Sequence, residues 1–145
     1  MRREKKWVYY CDFCKKSGRS GGHMARHEKR CTMNPYRHCG MCAILDLDQT
    51  PMPELLAILP DVTDCWIEEE LFQNEWGRTF IPPDSLKDAF ANLREKTENC
   101  PACLLAALRQ KGIPVGAMEG FDFKQECESW WGDFNAEHNQ PGYCY

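Results

Sequence analysis

The spacing of four metal-binding residue types near the N-terminus restricts the fold of this chain more than any other feature. Cys11 and Cys14 are separated by two residues, twelve residues follow, and His27 and Cys31 are separated by three. Three sulfurs and one imidazole nitrogen form a donor set that suits tetrahedral zinc. Because residues four apart share a helix face, the second pair is expected on a helix. The spacing predicts a zinc site that ties a short turn to that helix.

The choice of the last two ligands has an alternative, because His23 and His27 are also four residues apart. We favour His27 with Cys31, since this pair keeps the usual gap and leaves no thiol of the segment without a role. His23 then points outward or lies behind the ligands. Ser20 is the expected N-cap of the helix. The remaining alternative is a set of unligated thiols, although four ligands at standard spacing rarely arise by accident.

The segment resembles the Cys-Cys-His-Cys variant of the Cys-Cys-His-His zinc finger, whose fold is a ββα unit. Tyr9 and Met24 stand where that family has apolar core residues. The family's aromatic residue between the second cysteine and the helix has no counterpart here, and Phe13 or Trp7 is expected to fill its space. With so small a core, the resemblance implies a fold that depends on zinc, which contributes about 10–16 kcal/mol in such peptides.

A broader resemblance extends to residue 42. Small uncharacterised phage and bacterial zinc-finger proteins run from such a finger through an Asn-Pro turn into another Cys-x2-Cys, as "TMNPYRHCGMC" does here. This resemblance implies an accessory or regulatory role and names no activity. We therefore divide the chain into a basic Cys-Cys-His-Cys finger, residues 1–34, and an acidic helical domain, residues 35–145.

Two further Cys-x2-Cys pairs, Cys39 with Cys42 and Cys100 with Cys103, have fifty-seven residues between them. Brought together, they form a four-cysteine zinc site, and a long insertion is tolerated because loop-closure entropy grows slowly with length. The chain is therefore predicted to bind two zinc ions. The alternatives are plain core cysteines, a redox dithiol whose first thiol is acidified at a helix N-terminus, or a site that recruits another ligand. That ligand would be Cys65, Cys127 or His138, whereas Cys144 is expected to be inert.

The rest of the chain carries helical patterns, and the predicted fold class is mainly α, with a small helical domain stapled by the four-cysteine site. The clearest helix begins behind Asp84 and buries every third or fourth residue, namely Leu86, Ala89, Phe90 and Leu93. Another begins at Pro101 and stops at Gly112. Helices are also expected within 51–61, 63–76 and 122–138, and no sheet is expected. Cys127 is a predicted core residue, and so are the tryptophans Trp66, Trp76, Trp130 and Trp131. The alternative for the tryptophans is an aromatic groove that binds a partner.

Charge is divided unevenly along the chain. Residues 1–42 carry eleven Lys and Arg against three Asp and Glu, whereas residues 43–145 carry seven against nineteen. In DNA-reading fingers, helix positions −1, 3 and 6 face the bases, and the resemblance places Ser20, His23 and Arg26 there. Basic side chains around them suit phosphates and make binding salt-dependent, among them Lys15, Lys16, Arg19, Lys29, Arg30 and Arg37. The alternative is that both charged surfaces are merely solvated.

These features favour a non-enzymatic zinc-binding regulatory or accessory protein that binds DNA or RNA through its finger. The alternative is a protein-interaction module, such as a phage antagonist of a host defence complex, that acts through the acidic helical domain. A glycine-rich phosphate loop and a Ser/His/Asp pattern are absent from the sequence, and a metal-dependent enzyme would lack its acid–base residues. Because neither a secretory nor a membrane-spanning stretch is present, we expect a cytoplasmic protein with no membrane association.

Overall fold

The computed structural model describes residues 1–138, so Cys144 lies outside the described residues. Within that range the fold is mainly α, with six α-helices and two small antiparallel hairpins. The helices are α1 (Gly21–Arg30), α2 (Gly40–Ile44), α3 (Met52–Ile58), α4 (Ser85–Lys96), α5 (Pro101–Lys111) and α6 (Phe123–His138). The hairpins pair β1 (Tyr9–Tyr10) with β2 (Ser17–Gly18) and β3 (Trp66–Phe72) with β4 (Glu75–Phe80). No helix in residues 1–138 combines the length and the apolar character needed to cross a membrane.

The N-terminal segment consists of the β1–β2 hairpin followed by α1. Ser20 caps α1 as predicted, because its Oγ accepts a hydrogen bond from the backbone N–H of His23 at 3.3 Å. Met24 is buried beside cysteine side chains, as the resemblance implies. Trp7 is 84% exposed and Phe13 is 38% exposed, so the prediction that one of them fills the core was wrong. The buried apolar cluster of this segment consists of Met24, Cys11 and Cys31 alone.

Helix α5 forms the centre of the larger body. Pro101 occupies its first turn and Gly112 ends it with a φ of 79°, a left-handed conformation that glycine adopts without strain. Its side chains are buried on almost every face, α3 and α6 pack against it, and α4 packs against α3. Of the predicted stripe of α4, Leu86, Phe90 and Leu93 are buried, whereas Ala89 is half-buried. The largest fully buried side chains include Leu55, Leu93, Leu104 and Leu108.

Residues 66–80 form an antiparallel hairpin, so the helix predicted for 63–76 and the expected absence of a sheet were wrong. The chain reverses at Gln73 and Asn74, which both have positive φ, and the Asn74 N–H donates to the carboxylate of Glu70. Leu71 lies across Gly77 on the neighbouring strand, where a Cβ would collide with it. Glutamate is a good helix former, but intrinsic helix propensity is a weak predictor, and cross-strand pairs such as that of Trp66 with Phe80 override it here.

The tryptophans are not core residues, contrary to the prediction. Trp76 is 71% exposed, Trp131 is 41% exposed, and Trp66 and Trp130 are half-buried. Cys127, also predicted as core, is half-buried, because α6 packs along one side of α5 and buries none of its described side chains completely.

The chain between α1 and α2 is fastened to both parts of the molecule. Asn34 is buried and donates through Nδ2 to the Glu28 carbonyl at 2.8 Å. Gln110 of α5 donates through Nε2 to the carbonyls of Thr32 at 2.8 Å and Asn34 at 3.0 Å. The His38 N–H donates to the Lys29 carbonyl at 2.8 Å. These bonds set the end of α1 against the helical body, and the division at residue 34 stays a prediction.

Candidate metal centres

The first group of metal-binding side chains comprises Cys11, Cys14, His27 and Cys31. Their ligand atoms all lie within 4.8 Å of one another, and Cys14 Sγ is 3.3 Å from His27 Nε2. A tetrahedral zinc ion, with bonds of about 2.0–2.3 Å, places neighbouring ligand atoms roughly 3.5–3.8 Å apart. The group is therefore compatible with a Cys-Cys-His-Cys zinc site. His23 lies outside this group, and its side chain is exposed.

The turn that follows β1 positions the sulfurs of Cys11 and Cys14. The Cys11 N–H donates to the Lys16 carbonyl at 2.9 Å and closes the turn. The Phe13 N–H points at Cys11 Sγ and the Lys16 N–H at Cys14 Sγ, at 3.4 and 3.5 Å. The bond from Lys16 lowers the pKa of Cys14 to about 7, and burial raises the pKa of Cys31 to about 11. Backbone donors thus favour the thiolate that a metal requires at Cys14.

The second group comprises Cys39, Cys42, Cys100 and Cys103, all four buried, with sulfurs within 4.8 Å of one another. Cys39 Sγ lies 3.5 Å from Cys100 Sγ, and Cys42 Sγ lies 3.6 Å from Cys103 Sγ. A disulfide needs about 2.05 Å, so these are free thiols at the edge lengths of a metal tetrahedron. The three side chains that could have been recruited instead, Cys65, Cys127 and His138, lie outside the group.

Two helix starts bring these sulfurs together. Cys39 precedes α2, and its Sγ accepts the Cys42 N–H at 3.5 Å. Cys100 precedes α5, whose first residue is Pro101. A bond to Cys100 lowers the pKa of Cys39, whereas a bond to Cys100 raises the pKa of Cys103. In the absence of metal the group therefore keeps part of its protons, and a divalent cation has to displace them to bind.

Arg37 is a charged residue in the wall of the second group, and it is only 5% exposed. Its Nη1 lies 3.9 Å from Cys103 Sγ, and its Nε has no hydrogen-bond partner among the described residues. Gln49 anchors the same segment, since its Nε2 donates to the Arg37 carbonyl at 2.9 Å and its Oε1 accepts the Cys39 N–H at 2.6 Å. Four thiolates around Zn²⁺ carry a net charge of about −2. A buried guanidinium beside that charge fits a metal-loaded site.

Both donor sets can hold a metal ion, and their chemistry is consistent with zinc. Each set supplies four protein ligands, which is the pattern of a structural site, because a catalytic zinc keeps a position open for water or substrate. When bound, zinc would cross-link the turn to α1 in the first group and the start of α2 to the start of α5 in the second. Sequence reasoning missed Gln49, because no ligand spacing marks it, and it assigned Arg37 to phosphate contact, which was wrong because Arg37 is buried beside Cys103.

Apart from Arg37, the predicted nucleic-acid residues lie on the exposed side of the N-terminal segment. All eight are exposed, and they occupy the turn, the cap and the solvent side of α1: Lys15, Lys16, Arg19, Ser20, His23, Arg26, Lys29 and Arg30. Arg26 and Arg30 are one helical turn apart and share a face. Comparisons with protein-family models, curated proteins and solved structures find no match for this chain.

Proposed function

We propose that this is a non-enzymatic, zinc-stabilised regulatory or accessory protein that binds nucleic acid through a Cys-Cys-His-Cys finger of ββα type. The observation that carries the proposal is a basic, exposed helix face built on a segment that can hold metal. Few apolar side chains of this segment are buried, so the metal-binding residues position α1 and the turn before it. Phosphate contacts from lysine and arginine supply affinity without sequence information.

The roles of the α1 residues follow from the resemblance. Ser20, His23 and Arg26 occupy positions −1, 3 and 6 of a helix that begins at Gly21. Arginine is suited to guanine, so Arg26 carries base contact, while the hydroxyl of Ser20 is already engaged by the cap. The remaining basic residues contact phosphates. A single finger covers about three base pairs, so sequence preference is weak.

Salt dependence tests this proposal on the zinc-loaded full chain. Five phosphate contacts predict a slope of about −4.5 in log K against log salt, so affinity for a labelled duplex falls roughly 500-fold between about 50 and 200 mM salt. Lys29→Ala reduces the slope by about one. Lys124→Ala is the matched control, because Lys124 is exposed on α6 and lies outside the finger. Absence of a complex at about 50 mM salt rules the proposal out.

A second candidate function, protein interaction through the acidic part of the chain, is favoured by the β3–β4 hairpin. Leu71, Phe72 and Trp76 at its outer end are 59%, 69% and 71% exposed. The exposed carboxylates Glu68, Glu69, Glu70 and Glu75 lie along the same hairpin. Exposed apolar side chains at the end of one hairpin suit the apolar pocket of a partner, and the glutamates suit a basic rim around that pocket.

Competition distinguishes this candidate from the first. Zinc-loaded full chain is used to capture proteins from an extract of its native host cells, with and without excess DNA. If the hairpin engages a basic nucleic-acid channel, capture is lost in Leu71→Ser/Trp76→Ser and is suppressed by DNA. Tyr36→Ser serves as the control, since Tyr36 is an exposed aromatic residue outside the hairpin. Equal capture by wild type and both variants contradicts the candidate, and the role as a phage antagonist stays a prediction.

A further inference from the structure

A cleft of about 470 Å³ opens where the end of α1 meets the helical body. Its walls come from four helices, with Arg30 from α1, Met41 and Ile44 from α2, Ala102 from α5 and Trp131 from α6. The volume lies in the range of sites that bind small molecules or parts of larger ligands. None of the side chains in this cleft is one of the predicted metal ligands.

The walls combine an aromatic plane, aliphatic surface and one accessible cation. Trp131 is 41% exposed and Ile44 is 49% exposed, while Met41 and Ala102 are half-buried. The Trp131 ring stands edge-on to Trp130, with ring centroids 4.9 Å apart, which restricts its orientation. These groups suit a flat aromatic ligand such as a nucleobase. Stacking on an indole ring does not depend on which base is bound, because every base has a π-face.

The guanidinium of Arg30 supplies the charge. It lies across Gly40, with Cζ 3.6 Å from the point where a Cβ of residue 40 would sit. A neutral planar ligand would leave this exposed cation without a partner, whereas a nucleotide offers its phosphate to Arg30 and its base to Trp131. The second arginine of the cleft, Arg37, is buried and turned towards Cys103.

The cleft continues the basic face of the finger. Arg26 and Arg30 share one face of α1, so a strand whose phosphates follow that face arrives at the cleft. We propose that the cleft receives one unpaired base from single-stranded DNA or RNA, stacked on Trp131, with the adjacent phosphate on Arg30. This inference rests on the proposed nucleic-acid function and adds a preference for single strands over intact duplex, in which every base is already stacked.

The test compares fluorescein-labelled dT12, rU12 and a duplex of equal length, each titrated with zinc-loaded full chain. Trp131→Ala is expected to weaken binding of both single strands by about 5- to 150-fold and to leave duplex binding within twofold. Trp76→Ala is the matched control, because it removes an exposed tryptophan from the β3–β4 hairpin. Ile44→Glu provides a second variant, which introduces a carboxylate at the exposed rim and repels the phosphate without removing a helix contact.

The outcomes separate the two proposals. Loss of single-strand binding in Trp131→Ala and Ile44→Glu supports the cleft, provided that metal content is retained in both variants and duplex binding is retained in Trp131→Ala. A dT12 analogue with abasic residues should bind both wild type and Trp131→Ala equally weakly. If neither variant changes single-strand affinity, the cleft assignment is overturned while the finger function stands. If wild type binds none of the three nucleic acids at about 50 mM salt, both proposals fail.

Discussion

The substitution Arg37→Met retains most of the length of a buried side chain and removes its charge. Arg37 Nη1 lies 3.9 Å from Cys103 Sγ, so with a divalent cation bound the guanidinium would lie beside the charge of four thiolates. A full unit charge at that distance interacts by about 4 kcal/mol at an effective dielectric constant near 20. Each sulfur of a dianionic four-thiolate site carries about half a charge, so the nearest sulfur accounts for about 2 kcal/mol.

Desolvation opposes this attraction, since a buried guanidinium has lost its hydration. Hydrogen bonds to charged groups contribute about 1.5–3 kcal/mol net, and changing an outer partner of a metal ligand typically weakens metal binding 10- to 100-fold. We expect Arg37→Met to weaken the second site by that factor. In the metal-free protein, however, the guanidinium faces partly protonated thiols, so the same substitution should raise the stability of the metal-free form.

The assay titrates zinc-loaded protein with a chromophoric chelator and counts the two ions separately. Cobalt substitution assigns them, because the absorption of a four-sulfur site differs from that of a three-sulfur site. Arg109→Met is the control, since it removes an exposed arginine on α5 whose charge is screened by solvent. Unchanged or tighter metal binding in Arg37→Met would show that desolvation outweighs the attraction, and the reasoning would be refuted.

Three further predictions concern the metal content of the protein, its stability without metal and its apolar core. Cys103→Ser should leave one zinc per chain by elemental analysis, whereas Cys65→Ser, outside both groups, should leave two; equal metal content in the two variants contradicts the assignment. Chelation should lower the thermal midpoint and the helical circular dichroism signal, and Zn²⁺ but not Mg²⁺ should restore both, since Mg²⁺ prefers oxygen ligands. Leu104→Ala, at a fully buried position, should lower the free energy of unfolding by about 2–5 kcal/mol, whereas Leu71→Ala on the exposed hairpin should change it by less than about 0.5 kcal/mol in denaturant titration.

Local signals in the sequence predicted the parts of the structure that depend on neighbouring residues. The i, i+4 spacing of His27 and Cys31, the cap at Ser20 and the stop at Gly112 each involve a few consecutive residues. The meeting of the two distant cysteine pairs was also predictable, because thiolate pairs have few chemically sensible uses other than metal binding.

The failures have a common physical cause, which is pairing at long range. Glu68, Glu69 and Glu70 read as part of a helix, yet the strand opposite them decides their conformation. Exposed tryptophans were assigned to a core because hydrophobicity alone does not tell whether a second layer exists to cover them. Arg37 belongs to no motif, and its role depends on Cys103, sixty-six residues away.

The second metal group also shapes the wall of the cleft, which couples the two sites. Gly40 and Met41 lie between Cys39 and Cys42, and Ala102 lies between Cys100 and Cys103. Three of the residues that line the cleft are therefore spacers of the two cysteine pairs, and metal binding would restrict their backbones. Cys103→Ser should reduce the preference for dT12 over duplex while the salt-dependent duplex affinity, carried by α1, changes little. Equal losses in both affinities would instead indicate that the second metal supports the whole molecule, and a full preference in a one-zinc protein would separate the cleft from the metal.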